Sequence, residues 1–102
     1  MNGLERRRSF RQVHRGYGTI SHKHGSQPCN LLNLSDTGAL VAIHGRHDLK
    51  ENDDLTLHVE LDQGIISALP AKAIRAETDF IAVRYTDLSP ENQTHLETAL
   101  SA

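Results

Sequence analysis

Four arginines fall within six positions of the 102-residue chain, at Arg6, Arg7, Arg8 and Arg11. A guanidinium is a rigid, permanently charged fork of donors. It pairs at two points with a phosphate or with the O6/N7 edge of a guanine. About twenty residues later comes Asn33-Leu34-Ser35-Asp36-Thr37-Gly38. Its chemistry is complementary. The Asn33 amide both donates and accepts, Ser35 adds a hydroxyl, and Gly38 permits a sharp turn or a close approach to the backbone. A guanine offers N1–H and N2–H₂ donors on one edge and O6 and N7 acceptors on another. Arginines suit the acceptor edge and phosphate; Asn and Ser suit the polar groups of base and sugar. Each group alone has an ordinary use. An arginine cluster can simply be solvated at a chain terminus, and Asn33 to Gly38 alone is an ordinary Asx or Ser turn.

Charge is divided between two parts of the chain. Residues 1–24 carry six Lys or Arg and one acid; residues 25–102 carry five Lys or Arg and twelve acids. A basic arm joined to an acidic body suggests an anionic partner for the arm. Residues 1–14 lack clear periodicity and are expected to form a flexible arm, with Phe10 and Val13 as its anchors on a body spanning 15–102. A chain of this length supports one small domain. With two Phe, two Tyr and no Trp, its core must be aliphatic.

The elements that must position these groups are read from period and punctuation. Tyr17 to His22 predicts a short strand, with Gly18, Ile20 and His22 on one face. Gly25, Ser26 and Pro28 punctuate the chain, and Cys29 to Leu34 predicts a second strand. Ser35-Asp36-Thr37-Gly38 predicts a tight turn into a third strand at Ala39–His44. Gly45 to Asp54 is loop-like. Leu55, Leu57, Val59 and Leu61 then alternate with Thr56, His58, Glu60 and Asp62, the period of a half-buried strand. Asp62-Gln63-Gly64 predicts a turn, with Gly where positive φ is cheap. Ile65 to Ala76 stays extended, with Pro70 expected at a bulge, an edge or a break. Phe80 to Thr86 is the last strand, with Ile81, Val83 and Tyr85 on one face. Ser89 as N-cap and Pro90 at the first turn open a helix over about 89–101, whose Leu96, Ala99 and Leu100 must dock on the sheet. Six short antiparallel strands and a terminal helix predict an all-β barrel or sandwich.

Arg7-x-x-x-Arg11 followed by Asn33-x-Ser35-x-x-Gly38 resembles the signature of PilZ domains, bacterial receptors for cyclic di-GMP. The resemblance runs from Glu5 to Leu100 and includes the order of strands and Asp87-Leu88-Ser89-Pro90-Glu91 before the helix. It implies a six-stranded antiparallel barrel with a flexible N-terminal arm and a C-terminal helix. It implies that Arg7 and Arg11 grip guanine edges and phosphates, that Asn33 and Ser35 contact guanine, and that Gly38 shapes the turn. The family has Asp or Asn at the position of Asn33; the amide here lacks the charge assistance of a carboxylate. Arg6, just before the pair, is similar to members that take a stacked pair of ligands. A receptor also needs a downstream partner protein.

Other chemistries find less support. The single cysteine, Cys29, closes no internal disulfide, which favours a reducing, cytoplasmic setting. No run approaches the roughly 18 apolar residues of a membrane span. The seven histidines lack the converging partners of a zinc site, so no metal or cofactor is expected. No nucleophile motif or phosphate loop supports an enzyme. Two further readings compete with the receptor. A nucleic-acid-binding barrel would use the arm for phosphates, but few aromatics and an acidic body count against it. A PilZ-like interaction domain that binds protein and no nucleotide would usually lack the motif residues present here.

Overall fold

A computed structural model describes residues 10–11, 16–62 and 64–101 of the chain. Among these residues there are seven strands and one helix: β1 (Phe10–Arg11), β2 (Gly16–His22), β3 (Gly25–Ser35), β4 (Gly38–Ile43), β5 (Asp54–Asp62), β6 (Ile65–Ala76), β7 (Phe80–Tyr85) and α1 (Pro90–Ser101). All pairings are antiparallel. Neighbours run β3-β2-β5-β6-β7-β4, and β4 pairs back with β3, so six strands close into a barrel. Closure removes the exposed edges that an open sheet would present. The short β1 lies outside that ring, against β3.

The core is aliphatic, as the composition requires. Ile20, Leu34, Leu57, Leu69, Val41, Ile81, Val59 and Val83 are fully buried inside the barrel. The predicted alternation of β5 holds, with Leu55, Leu57 and Val59 inward. Gly64, at φ 76°, turns the chain between β5 and β6.

Helix α1 begins as the sequence predicts. The Ser89 hydroxyl accepts from the Asn92 N–H at 3.1 Å, an N-cap that satisfies one orphan donor of the first turn. Leu96 is buried, with Ala99 and Leu100 packed beside it. Two polar contacts fasten the helix to β6. The Asn92 amide donates to the Ala68 carbonyl at 2.8 Å, and the His95 ring meets the buried Ser67 hydroxyl at 3.3 Å.

Pro28 departs from its expected role as punctuation, while Pro70 lies at a local edge, one of its expected places. Pro28 and Pro70 interrupt neither strand: β3 starts at Gly25 and runs through Pro28, and β6 is continuous through Pro70. Each sits just beyond the end of a neighbouring strand. The Pro28 carbonyl accepts from His44 N, past the end of β4, and the Pro70 carbonyl accepts from Thr86 N, past the end of β7. In an antiparallel ladder the N–H and C=O of one residue face the same neighbour. The missing N–H therefore falls where that neighbour has already left the ladder.

The irregularities lie elsewhere. Register shifts occur in β3 between Leu31 and Asn33, in β5 between Glu60 and Asp62, and in β6 between Ala73 and Arg75. The bulge in β3 changes which side chains face outward. Cys29 and Leu31 face inward at spacing two, which by simple alternation would send Asn33 inward as well. The extra residue, Leu32, resets the phase so that Leu34 is buried instead, while Leu32 is exposed and Asn33 half-buried. A bulge that re-aims a side chain beside a site is a common use of the device.

Candidate functional site at the hairpin between the third and fourth strands

Strand directions give the barrel two rims. One carries the β3–β4 turn, the β5–β6 turn and the start of α1. The other carries the β2–β3 turn, the loop from His44 to Asp53, and the β6–β7 turn.

The β3–β4 hairpin at the first rim is held by a dense set of hydrogen bonds. The Ser35 hydroxyl accepts from the backbone N–H of Thr37 at 3.2 Å and of Gly38 at 3.1 Å, and can donate to the Gly38 carbonyl at 3.1 Å. One donor and two acceptor positions exhaust a hydroxyl. Ser35, expected from the resemblance to contact a base, thus has its hydrogen-bonding capacity engaged within its own turn, in a buried position. The Tyr85 hydroxyl closes the turn from β7, donating toward the carbonyls of Gly38 at 2.9 Å and Ser35 at 3.2 Å. Burial, reinforced by the charge of Asp36, pushes the Tyr85 phenol well above its usual range. It therefore stays a donor. Tyr85 is a positioning residue that sequence reasoning assigned only to an apolar strand face.

Gly38 is required for a different reason from the one expected. Its φ is not in the left-handed region. Instead it lies opposite Arg84 on β7, where an added Cβ would sit 2.1 Å from the Val83 carbonyl oxygen. The glycine lets two backbones approach, and the turn itself is shaped by Ser35.

Asn33, Ser35 and Gly38 line one pocket of about 380 Å³, together with Leu40, Ile74, Ala82 and Arg84. Its floor is apolar, from Leu40, Ala82 and the exposed Ile74 of the β6 bulge; its rim is polar, from Asn33, Thr37 and Arg84. An apolar floor with a few placed polar groups is the usual composition of a small-ligand site. A flat base could lie on it. A second pocket of about 530 Å³ adjoins it across Arg84, lined by Asp36, Thr37, Tyr85, Asp87 and Gln93.

The arginine segment reaches this rim through β1. Phe10 pairs with Ser35 and Arg11 with Leu34. Among the described residues β2 pairs with β3 as far as Gly16 and Leu31, and β1 follows it along the same edge of β3. Of the residues expected to form the site, Arg11, Asn33, Ser35 and Gly38 are thereby brought to neighbouring positions of the backbone. Arg6 and Arg7, and Val13 as an anchor, lie outside the described residues.

A larger cavity is at the other rim. It measures about 860 Å³ and is lined by His22, His24, Gln27, Arg46, His47 and Glu77, among others. Its histidines are engaged with their own surroundings: His47 Nε2 donates to the Glu77 carbonyl at 2.5 Å while its Nδ1 accepts from Leu49 N at 3.1 Å. Among the described residues no cluster of three or more His, Cys, Asp or Glu could hold a metal ion. Cys29 is part of the core, and burial pushes its thiol up to about 11, which keeps it protonated at neutral pH.

The family model for the PilZ domain matches residues 5–102. The chain belongs to the PilZ domain family. Solved structures agree at the level of fold. The PilZ domain of YcgR from Escherichia coli, determined with c-di-GMP, matches with a TM-score of 0.73 at 16% identity, covering 87% of this chain and 82% of that one. The PilZ domain of CeSA from a cellulose-synthesizing bacterium matches with a TM-score of 0.72 at 18% identity, over 90% and 94% of the two chains. The Bacillus subtilis inhibitor of motility MotI/DgrA matches with a TM-score of 0.76 at 14% identity over 91% of this chain, which spans about half of that protein, 47%. No curated protein matches the chain. No helix among the described residues is long and apolar enough to cross a membrane.

Proposed function

We propose that this PilZ domain is a receptor for cyclic di-GMP, which it receives on the outer face of the barrel beside the β3–β4 hairpin. The observation that carries the proposal is the pairing of β1 with β3. It sets the last residue of Arg7-x-x-x-Arg11 alongside Leu34, between Asn33 and Ser35. Two segments far apart in sequence, one cationic and one polar, meet at one rim. The E. coli YcgR domain of the same fold was determined with c-di-GMP.

In this proposal Asn33 reads a guanine edge, the apolar floor of Leu40, Ala82 and Ile74 takes a base face, and Arg7 and Arg11 take phosphate oxygens and the O6/N7 edge. Arg6 would join them where two ligand molecules stack. Ser35 acts by holding the hairpin. Differential contacts with the arm make the ligand a switch: the arm closes over the nucleotide and the altered surface is passed to a partner protein.

Calorimetric titration of wild type, Arg7→Ala and Arg11→Ala with cyclic di-GMP, GTP and cyclic di-AMP tests this. A lost arginine fork is worth about 1–3 kcal/mol, so each variant should bind cyclic di-GMP roughly five- to a hundredfold more weakly than wild type. Equal, weak binding of all three nucleotides to wild type would end the receptor proposal. It would leave an interaction domain of the same fold that takes no nucleotide.

A further inference from the structure

We infer that Arg84 of β7 is a ligand-binding residue, a third cation that holds a phosphate of the dinucleotide from the barrel side, opposite the arginines of the arm. The inference rests on the proposed cyclic di-GMP site and adds a residue outside both of its sequence motifs.

Position is the first argument. Arg84 pairs across the ladder with Gly38. Around the outside of the barrel the order is β1, β3, β4, β7, so β1 flanks the hairpin on one side and the strand of Arg84 flanks it on the other. Neighbouring strands lie about 4.8 Å apart, which puts β7 roughly 10 Å from β3. An extended arginine and a dinucleotide readily span that gap. Arg84 lines the pocket that holds Asn33 and also the adjoining one, forming the wall between them.

Charge is the second argument. Residues 16–101 contain six lysines and arginines. Lys23, Arg46 and Lys50 belong to the turn and loop of the far rim. Lys72 pairs with Asp54 at 3.3 Å, and Arg75 pairs with Glu77 at 3.2 Å while lying over the Phe80 ring. Arg84 is exposed and makes no ion pair among the described residues. It is thus the cation of the barrel that stands at the proposed site and is uncommitted there. Asp36 and Asp87 line the pocket on its other side. An anion arriving at Asn33 meets their repulsion unless Arg84 turns toward it, and a doubly negative ligand gives the guanidinium a stronger partner than either exposed carboxylate.

Four proteins decide the matter: wild type, Arg84→Gln, Arg84→Lys, and Arg46→Gln, which removes the same charge at the far rim. Each is titrated with cyclic di-GMP at low and at high salt, with thermal melting as a check on folding. At low salt Arg84→Gln should bind roughly five- to a hundredfold more weakly than wild type. Arg84→Lys should recover part of the loss, and Arg46→Gln should change affinity by about twofold or less, the scale of a screened distant charge. The gap between wild type and Arg84→Gln should narrow at high salt, because a direct charge contact is screened whereas a packing defect is not. Arg84→Gln binding as tightly as Arg46→Gln overturns this inference and leaves the receptor proposal standing. A loss that salt does not change also overturns it. Wild type failing to bind removes both.

Discussion

The two rims of this barrel are built differently, and the proposed site is at the smaller pocket. The far rim has the larger cavity, yet it is bordered by a turn and a long loop with cations, acids and histidines intermixed. The near rim has a pocket less than half that volume. Its walls are fixed: Ser35 ties its own turn, Tyr85 clamps the turn from β7, and Gly38 lets β4 and β7 touch. Recognition of a nucleotide depends on donors and acceptors held in place before the ligand arrives, because ordering them on binding subtracts from affinity. Volume alone supplies none of that.

The contrast is broken most severely by Gly38→Ala. The added methyl meets the Val83 carbonyl oxygen, a backbone atom that cannot step aside. Overpacking of this kind costs about 2–3 kcal/mol, a drop in melting temperature of roughly 10–20 °C for a domain this small. Binding of cyclic di-GMP should fall with it. A variant that melts within about 2 °C of wild type, measured by calorimetry, would mean that β4 and β7 have room that the present geometry denies.

Much of this was legible in the sequence, and the failures have definite physical causes. Period two in Leu55 to Leu61, the Ser89-Pro90 cap, and turn residues at Ser35 to Gly38 reported local structure, and local structure is what formed there. The bulge at Leu32 was not legible, because the run Cys29 to Leu34 contains nothing to mark which residue is extra. Yet that bulge decides that Asn33 faces out. Strand β1 was also invisible: a two-residue pairing with β3 has no period of its own and depends on where β2 ends. Tyr85 reads as one more apolar residue of β7, since its partners, the carbonyls of Ser35 and Gly38, are about fifty residues away. Pro28 misled for a related reason. The cost of a proline inside a strand depends on whether a neighbouring strand is present to miss the N–H, and the chain alone does not say where that neighbour stops.

A pair of substitutions sharpens the division of labour within the near rim. Ser35→Ala leaves the part-buried N–H of Thr37 and the buried N–H of Gly38 without their acceptor, at about 1–2 kcal/mol. It should lower both stability and affinity. Asn33→Ala, on the outer face, should leave stability within about 0.5 kcal/mol of wild type. It should still weaken cyclic di-GMP roughly five- to tenfold, the value of about one neutral hydrogen bond. The two variants thus separate a residue that builds the site from one that reads the ligand. An affinity loss for Ser35→Ala with no change in melting would reverse the assignment and make Ser35 a direct contact.

The smallest effect on binding is expected at the far rim, and it tests the comparison from the other side. His47 bridges the Glu77 carbonyl and the Leu49 N–H. A carbonyl can only accept and an N–H can only donate, so the ring carries its proton on Nε2 and serves both at once. His47→Ala removes both bonds from the loop between β4 and β5 and from the β6–β7 turn. It should cost about 1 kcal/mol, since the groups it frees are near solvent and regain water. That loop and turn close the barrel end farthest from the β3–β4 hairpin, with the whole aliphatic core between. Substitutions separated by more than about 10 Å and sharing no partner act independently. Cyclic di-GMP affinity of His47→Ala should therefore match wild type within about twofold, while local amide exchange in residues 44–53 accelerates. If affinity fell in step with that loosening, the two rims would be coupled through the barrel wall. The near rim would then owe part of its order to the far one.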